Sequence, residues 1–305
     1  MSTATTDENP GRPLAHVGRA VWRAMPVRAR RAVLYRRAFG RLPDRRRPTT
    51  LSEKIDWRAL HDRRPQLVTA CDKLASKELA LDAGVRPART LWSGTDVREL
   101  AHVDLGEHWV LKPNHRSGGL VHLGEGKPDV EELARLTRGW LAASTDELRT
   151  GEWGYSGARH VLLAEERLGE PGEDLVDWKV HVLDGEPALV QVHHGRFGDH
   201  RVRYYRPDWT PTDVAVRTAT LAEVVPPPPH LDALLDAARR LGRGWDYVRV
   251  DLYDLSGGVR FGELTVYPGS GLTDFRDDPW LDVELGGRWT LPAPGAASTP
   301  PRRHG

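Results

Sequence analysis

Val248-Arg249-Val250-Asp251-Leu252-Tyr253-Asp254-Leu255-Ser256-Gly257-Gly258-Val259-Arg260-Phe261-Gly262-Glu263-Leu264-Thr265-Val266 is the stretch on which the fold turns. Residues 247–255 and 259–266 each alternate apolar and polar side chains, and Ser256-Gly257-Gly258 joins them, so the segment predicts a β-hairpin. With a three-residue loop and Gly258 in the left-handed position, Asp251 sits opposite Glu263 and Arg249 opposite Thr265. Side chains two apart share a face. Arg249, Asp251, Glu263 and Thr265 therefore make a polar face, and Val248, Val250, Leu252, Leu264 and Val266 an oily one. Two carboxylates directly across a ladder repel unless a cation lies between them. Magnesium suits such a place, because it takes few protein carboxylates and fills its shell with water and phosphate oxygens. A plainer account stays open, a solvated hairpin whose acids Arg249 balances. A two-residue loop would slip the register by one and undo the pairing.

Outward from this hairpin, 177–183 and 187–193 alternate as strands around Asp184-Gly185, a strong two-residue turn signal. Lys179 lies mid-strand in the first of them, where a surface-facing lysine is the simplest account. Trp109-Val110-Leu111 predicts a strand that runs into Lys112 and the loop Ser117-Gly118-Gly119, which offers backbone N–H groups and an ammonium to a phosphate. Neither a Walker A loop nor a dinucleotide G-x-G-x-x-G occurs. Helices are predicted near 129–143 and 230–242, and a strand over 161–164 ends in Glu165 and Glu166, acids able to bind a ribose or an adenine amine. Residues 70–83 predict one helix stopped by Gly84, with Lys73 near its start, where a cation opposes the helix dipole and hints at an anionic partner. Ser52 is the expected N-cap of a helix that follows it. Helices mixed with hairpins indicate an α+β chain.

The composition narrows the class. Of 305 residues, 39% are hydrophobic and 29% charged, as in a soluble globular protein, and no apolar run is long enough for a membrane span. A single cysteine, Cys71, excludes an internal disulfide or a multi-cysteine zinc site and fits a cytoplasmic setting. His193 and His194 are adjacent in a strand and point to opposite faces, which argues against a shared zinc ion. The eleven tryptophans are scattered, as core anchors are, rather than arrayed for nucleic acid or sugar. Eleven arginines and one aspartate fall within 19–47, against a net charge of +1 for the whole chain. That arm either binds anionic lipid or packs on the body with its arginines solvated or paired. Only six basic residues are lysine: Lys54, Lys73, Lys77, Lys112, Lys127 and Lys179.

In order, LSEKIDW (51–57), ACDKLASKEL (70–79), WVLKPNHRSGG (109–119), VLLAEERL (161–168), DWKVHVLDGEP (177–187) and VRVDLYDLSGGVRFGELTVYPGSGL (248–272) resemble the ATP-grasp superfamily, and within it the TupA-like branch named for teichuronopeptide biosynthesis. The likeness runs from about Leu51 to Leu291, and the last segment is similar to the R-x-D…E-x-N-x-x-P-G segment of D-alanine–D-alanine ligases. The resemblance implies an ATP-grasp fold, with nucleotide held between two α+β lobes. The expected layout is a tail and Arg-rich helical extension over 1–48, an N-terminal lobe over 49–104, a central lobe over 105–170, a C-terminal lobe over 171–292 and a disordered tail over 293–305.

The resemblance also implies roles. Lys73 and Lys112 would contact ATP phosphates under a flap of Ser117, Gly118 and Gly119. Glu165 would lie at the interlobe hinge, where adenine is held largely by backbone groups, with Glu166 as a further nucleotide-binding acid, and Lys179 would match the basic residue of the next strand. Asp251 and Glu263 would ligate magnesium, with Thr265 standing where the family carries asparagine. Arg249 would face a developing oxyanion. The implied activity is ATP-dependent joining of a carboxylate, small or glycan-linked, to an amine, in cell-surface polysaccharide or natural-product biosynthesis, without nucleic acid. A phosphotransferase acting on a hydroxyl and a non-catalytic nucleotide-binding adaptor are the alternatives.

Overall fold

The computed structural model describes residues 22, 24–118, 120–142, 149–169, 175–194, 201–216, 220–221, 223–273, 275 and 279–293. Residues 1–13, Gly119 and nearly all of the tail from 293 lie outside them. Helix α1 (Val27–Phe39) starts directly after Pro26, and α2 (Leu51–His61) starts with a capping box. In that box the Thr50 hydroxyl accepts from the Glu53 N–H while the Glu53 carboxylate reaches back. The expected cap, Ser52, lies inside the helix instead, and its N–H donates to Asp282 of helix α7 (Trp280–Arg288) at 2.7 Å. The α2 start and α7 approach so closely that a Cβ at Gly286 would lie 2.3 Å from the Thr49 carbonyl oxygen.

The single helix expected over 70–83 is two, α3 (Gln66–Cys71) and α4 (Lys73–Asp82). Asp72 breaks them: its backbone is extended, and its carboxylate caps α4 at Ala75 N–H (2.9 Å) while holding Arg159 bidentately. Asn114 pins the same place, accepting from Leu74 N–H at 2.8 Å.

A four-stranded antiparallel sheet in the order β2 (Thr90–Gly94), β5 (Leu162–Glu166), β3 (His108–Pro113), β4 (His122–Glu125) has its own core of Leu100, Trp109, Leu111, Leu133, Trp140 and Leu162. Helix α5 (Val130–Leu136) covers it and ends well short of 143, because the Thr137 hydroxyl donates back to the Leu133 carbonyl and Gly139 follows at φ 84°.

The larger sheet has seven strands in the order β1 (Arg86–Pro87), β11 (Gly258–Thr265), β10 (Tyr247–Leu255), β6 (Asp177–Leu183), β7 (Glu186–His194), β8 (Arg201–Tyr205), β9 (Thr220–Leu221). Strands β6 and β7 turn at Asp184-Gly185, both at positive φ (50° and 80°), as the two-residue turn requires. Helix α6 (Leu231–Leu241) lays Leu234, Ala237, Ala238 and Leu241 on this sheet, one stripe at helical spacing. Val248, Val250, Leu252, Leu264 and Val266 are all buried, so the oily face of the hairpin is the core face. Cys71 and the tryptophans 109, 140, 178, 245 and 289 are buried, as expected of core residues.

The hairpin differs from expectation at its tip. Gly258 has φ 95°, but the ladder closes at Leu255 opposite Gly258, so the loop is the two residues Ser256-Gly257. That would have undone the pairing of the acids. A bulge restores it: Leu252 pairs with Phe261 and Asp251 with Glu263, which leaves Gly262 as the extra residue. A Cβ at Gly262 would lie 3.0 Å from the Asp251 carbonyl oxygen, so glycine suits this close approach.

Candidate active site

The register across β6, β10 and β11 sets two polar rows. Lys179, Asp251 and Glu263 form one, and His181, Arg249 and Thr265 the next. Asp251 is 2% exposed and lies between two cations. Arg249 donates Nε to Oδ1 and Nη2 to Oδ2, each at 2.7 Å, and Lys179 Nζ donates to Oδ2 at 2.7 Å. Burial by itself would raise the Asp251 carboxyl, but Arg249 and then Lys179 outweigh it and hold the group well below the usual carboxylate range. Asp251 on this face is thus buried rather than solvated. Lys179, for which a surface position was the simplest account, is buried, and it also pairs with Asp177 at 3.2 Å. Glu263 differs sharply: its side chain is 42% exposed, against 4% for Asp251, and Arg249 Nη2 approaches it only to 4.0 Å. The Thr265 hydroxyl accepts from Arg249 Nη2 at 3.1 Å and donates to Glu263 Oε1 at 3.4 Å.

A second cluster comes from the smaller sheet and α4. Glu165 is buried between Lys112 and Lys77, which lies 2.6 Å from Oε2, and Lys77 also donates to the Ala88 carbonyl at 2.8 Å. Burial pushes the Glu165 carboxyl up, and Lys112 with Lys77 more than offsets this, keeping it below its ordinary value. Lys73 donates to the Arg116 carbonyl, tying α4 to the base of the glycine loop. Burial pulls the Lys73 ammonium down, while Glu263 acts on it from the hairpin and Lys112 from the smaller sheet. Lys73 therefore stands where the two clusters meet. Gly118 is exposed at φ 66° and Ser117 is exposed beside it; Gly119 is outside the described residues. Glu166 turns the other way, accepting from Arg260 at 2.7 Å and from the Arg89 N–H at 3.0 Å.

The sequence reading gave Lys77, Asp72, Asn114 and Arg159 no role. Lys77 carried a signal: it lies four residues after Lys73, on the same helix face. Asn114 and Arg159 carried none.

Beside Arg249 opens a pocket of about 140 Å³ whose wall includes His181, Gln191, Tyr204, Gly269, Gly271 and Phe275. Gly269 (φ 54°) and Gly271 (φ 67°) also line it and, with Ser270 (φ 58°) between them, form a run of three left-handed residues. For a serine this conformation costs roughly 1–2 kcal/mol. His181 meets the Tyr247 hydroxyl at 3.0 Å and is held neutral, pulled down to about 4 by burial and then by Arg249. Its ordinary value is 6.5, so between pH 4 and 6.5 the unfolded chain binds a proton there that the folded chain refuses. Stability therefore rises with pH through this window and is flat above it. Acidifying from pH 7 to 5 should cost about 2 kcal/mol through His181. Urea midpoints at the two pH values should differ by correspondingly less in His181→Asn, and an equal difference would count against a neutral, buried His181.

Among the described residues no three His, Cys, Asp or Glu side chains gather in one place. Magnesium needs only one or two carboxylates alongside substrate phosphates. A carboxylate has about four lone-pair positions; Asp251 spends three on Arg249 and Lys179 and keeps one on Oδ1. Glu263 is open. The pair, with the Thr265 oxygen, fits magnesium in kind.

Two sheets, a helix whose Lys77 reaches Glu165 of the smaller one, and a carboxylate-bearing hairpin in the larger one make up an ATP-grasp fold. The TupA-like ATPgrasp family matches residues 53–289, and the chain belongs to that family. Similar solved structures include D-alanine–D-alanine ligase from Bacillus anthracis (18% identity, TM-score 0.40, covering 65% of this chain and 57% of that one). The D-alanine–D-alanine ligase from Helicobacter pylori (13%, TM-score 0.42, 73% and 61%) and VanG D-Ala:D-Ser ligase from Enterococcus faecalis (13%, TM-score 0.44, 72% and 61%) are also similar. This chain thus spans less than two thirds of the length of each. Among curated proteins none matches.

Proposed function

We propose that this chain is an ATP-dependent ligase that joins a carboxylate to an amine through an acyl phosphate, releasing ADP and phosphate. The observation that carries the reading is Lys73, tied to the Arg116 carbonyl at the base of the glycine loop and acted on by both Glu263 and Lys112, with Arg249 bordering a small pocket. In this reading a substrate carboxylate oxygen attacks the γ-phosphorus and ADP leaves. The amine nitrogen then attacks the acyl carbon, phosphate leaves, and the amine proton passes to solvent.

Lys73 and Lys112 hold the phosphates, with Ser117, Gly118 and Gly119 as the covering flap. Glu165 and Glu166 close the strand beside the adenine, and Glu165 fixes Lys112. Lys179 holds Asp251. Asp251, Glu263 and Thr265 would hold magnesium, which supplies positive charge against the phosphate oxygens. Arg249 stabilises the oxyanion of the tetrahedral centre. A pocket of about 140 Å³ suits one small end of a substrate, such as an amino acid, with any glycan lying outside it. A teichuronopeptide-like or natural-product pathway is the matching setting.

Hydroxylamine in place of the amine tests the chemistry. With ATP and a carboxylate that drives ADP release, a hydroxamate should form. A stable phosphate ester, with no hydroxamate, would establish the phosphotransferase instead. ATP binding without turnover for any acceptor would establish the adaptor.

A peripheral, cytoplasmic-face location is the remaining part of the proposal. No helix among the described residues is long and apolar enough to cross a membrane. Within the arm, Arg30 and Arg31 are buried, while Arg41 pairs with Glu53 and Arg45 with Asp56. Arg28, Arg36, Arg37, Arg46 and Arg47 are left exposed to anionic lipid, at about 1 kcal/mol for each one near the surface. Co-sedimentation with anionic vesicles at low salt is expected, and its absence ends the membrane version.

A further inference from the structure

Arg31 is one arginine among eleven in the arm and precedes the matched family segment, yet it is only 1% exposed. Its guanidinium joins three separated parts of the chain. Nε donates to Asp56 Oδ1 at 2.7 Å, Nη1 to the Thr150 carbonyl at 2.7 Å, and Nη2 to the Ser270 carbonyl at 2.9 Å. Asp56 is fully buried and is fixed from its other oxygen by Arg45 at 2.8 Å. Ser270 is the central residue of the left-handed run whose two glycines line the pocket. Such a conformation persists in a non-glycine residue only where its surroundings over-determine it. On one side the run is pressed against α2, where a Cβ at Gly271 would lie 2.9 Å from Ile55 Cβ. Arg31 supplies the hold at the Ser270 carbonyl.

We propose that Arg31 is a positioning residue: by clamping the Ser270 carbonyl it keeps the Gly269–Gly271 run in its left-handed form and so fixes the part of the pocket wall that Gly269 and Gly271 make. The kinetic consequence rests on the ligase reading; the mechanical one does not. Lysine keeps a charge beside Asp56 but has no planar fork to span three acceptors.

In Arg31→Lys, amide exchange of 267–273 should quicken at least fivefold while exchange over 177–183 stays as in the unaltered chain. With a carboxylate and amine that drive ADP release, KM for one of them should rise at least tenfold, with KM for ATP and kcat within about twofold. Adding Ser270→Gly should bring that KM back to within threefold, because glycine adopts positive φ without the steric cost and needs the clamp less. A residue that served only general stability would not be rescued at position 270. Equal exchange over 267–273 overturns the clamp, and faster exchange with unchanged KM overturns its link to the pocket. If Arg31→Lys alone does not fold, the double variant should, and its failure also overturns the proposal. If no substrate pair ever drives ADP release, the ligase reading falls while the exchange measurement still decides Arg31.

Discussion

Replacing Asp251 with Asn is expected to abolish turnover and to lower stability by about 3–5 kcal/mol, the cost of removing one partner from a buried ion pair. On the sequence alone this substitution would be expected to spare the fold. The structure revises that, because Asp251 is the counter-ion of both Arg249 and Lys179. Loss of activity in Asp251→Asn therefore cannot by itself identify a metal ligand. Glu263→Gln separates the two roles. Its side chain is half-open and neutralises no buried cation at close range, so its removal should leave the urea midpoint unchanged. Turnover should nevertheless collapse, and most steeply at low magnesium. ADP release measured across a magnesium series, beside urea denaturation, reads both outcomes. Asp251→Asn with the stability of the unaltered chain would disprove the counter-ion role, and Glu263→Gln with normal activity at low magnesium would disprove the metal role.

Lys112→Ala and Arg249→Ala should fail at different chemical steps. Glu165 and Asp251 each have two cations, so removing one leaves the other: Glu165 keeps Lys77, and Asp251 keeps Lys179. Both variants are therefore expected to fold, which makes their kinetics interpretable. Without Lys112 the phosphoryl-transfer step loses its ammonium, so ADP, amide and hydroxamate should all fall together, by about 10²–10³ if it acts as one preorganised electrostatic donor. Without Arg249 the charge that develops at the tetrahedral centre is unsupported. Amide formation should drop by about the same factor while ADP release, now leaking through hydrolysis of the acyl phosphate, falls less. The ratio of ADP to amide is the decisive quantity. It should stay near that of the unaltered chain in Lys112→Ala and rise in Arg249→Ala; the same ratio in both would remove the division of labour between them.

Those expectations draw on two kinds of information, and the hairpin shows where they part. The alternation of Val248 through Val266 was legible, and with it the oily and polar faces. The placing of Asp251 opposite Glu263 was legible too, although for an incomplete reason. The loop is shorter by one than its glycines suggest, and Gly262 returns the lost residue as a bulge. A bulge is decided by how the flanking strands twist and pack, so a count of loop residues could not anticipate it. Similarly, the single helix read over 70–83 overlooked that Asp72 caps α4 while gripping Arg159, a residue far along the chain.

What the sequence by itself determined was local. Period-two alternation, an Asp-Gly turn and helical spacing fix strands, helices and the α+β class, because each depends on neighbours a few residues apart. Only the tertiary structure decided which charges neutralise which. Lys179 meets Asp251 across 72 positions, Lys112 meets Glu165 across 53, and Arg31 reaches Ser270 across 239. A lysine or arginine reads the same in a sequence whether it ends in water or in a buried ion pair. The choice is made by desolvation: once packing has removed water from Asp251, Glu165 and Asp56, each must be met by a cation, and the fold determines which one lies within reach.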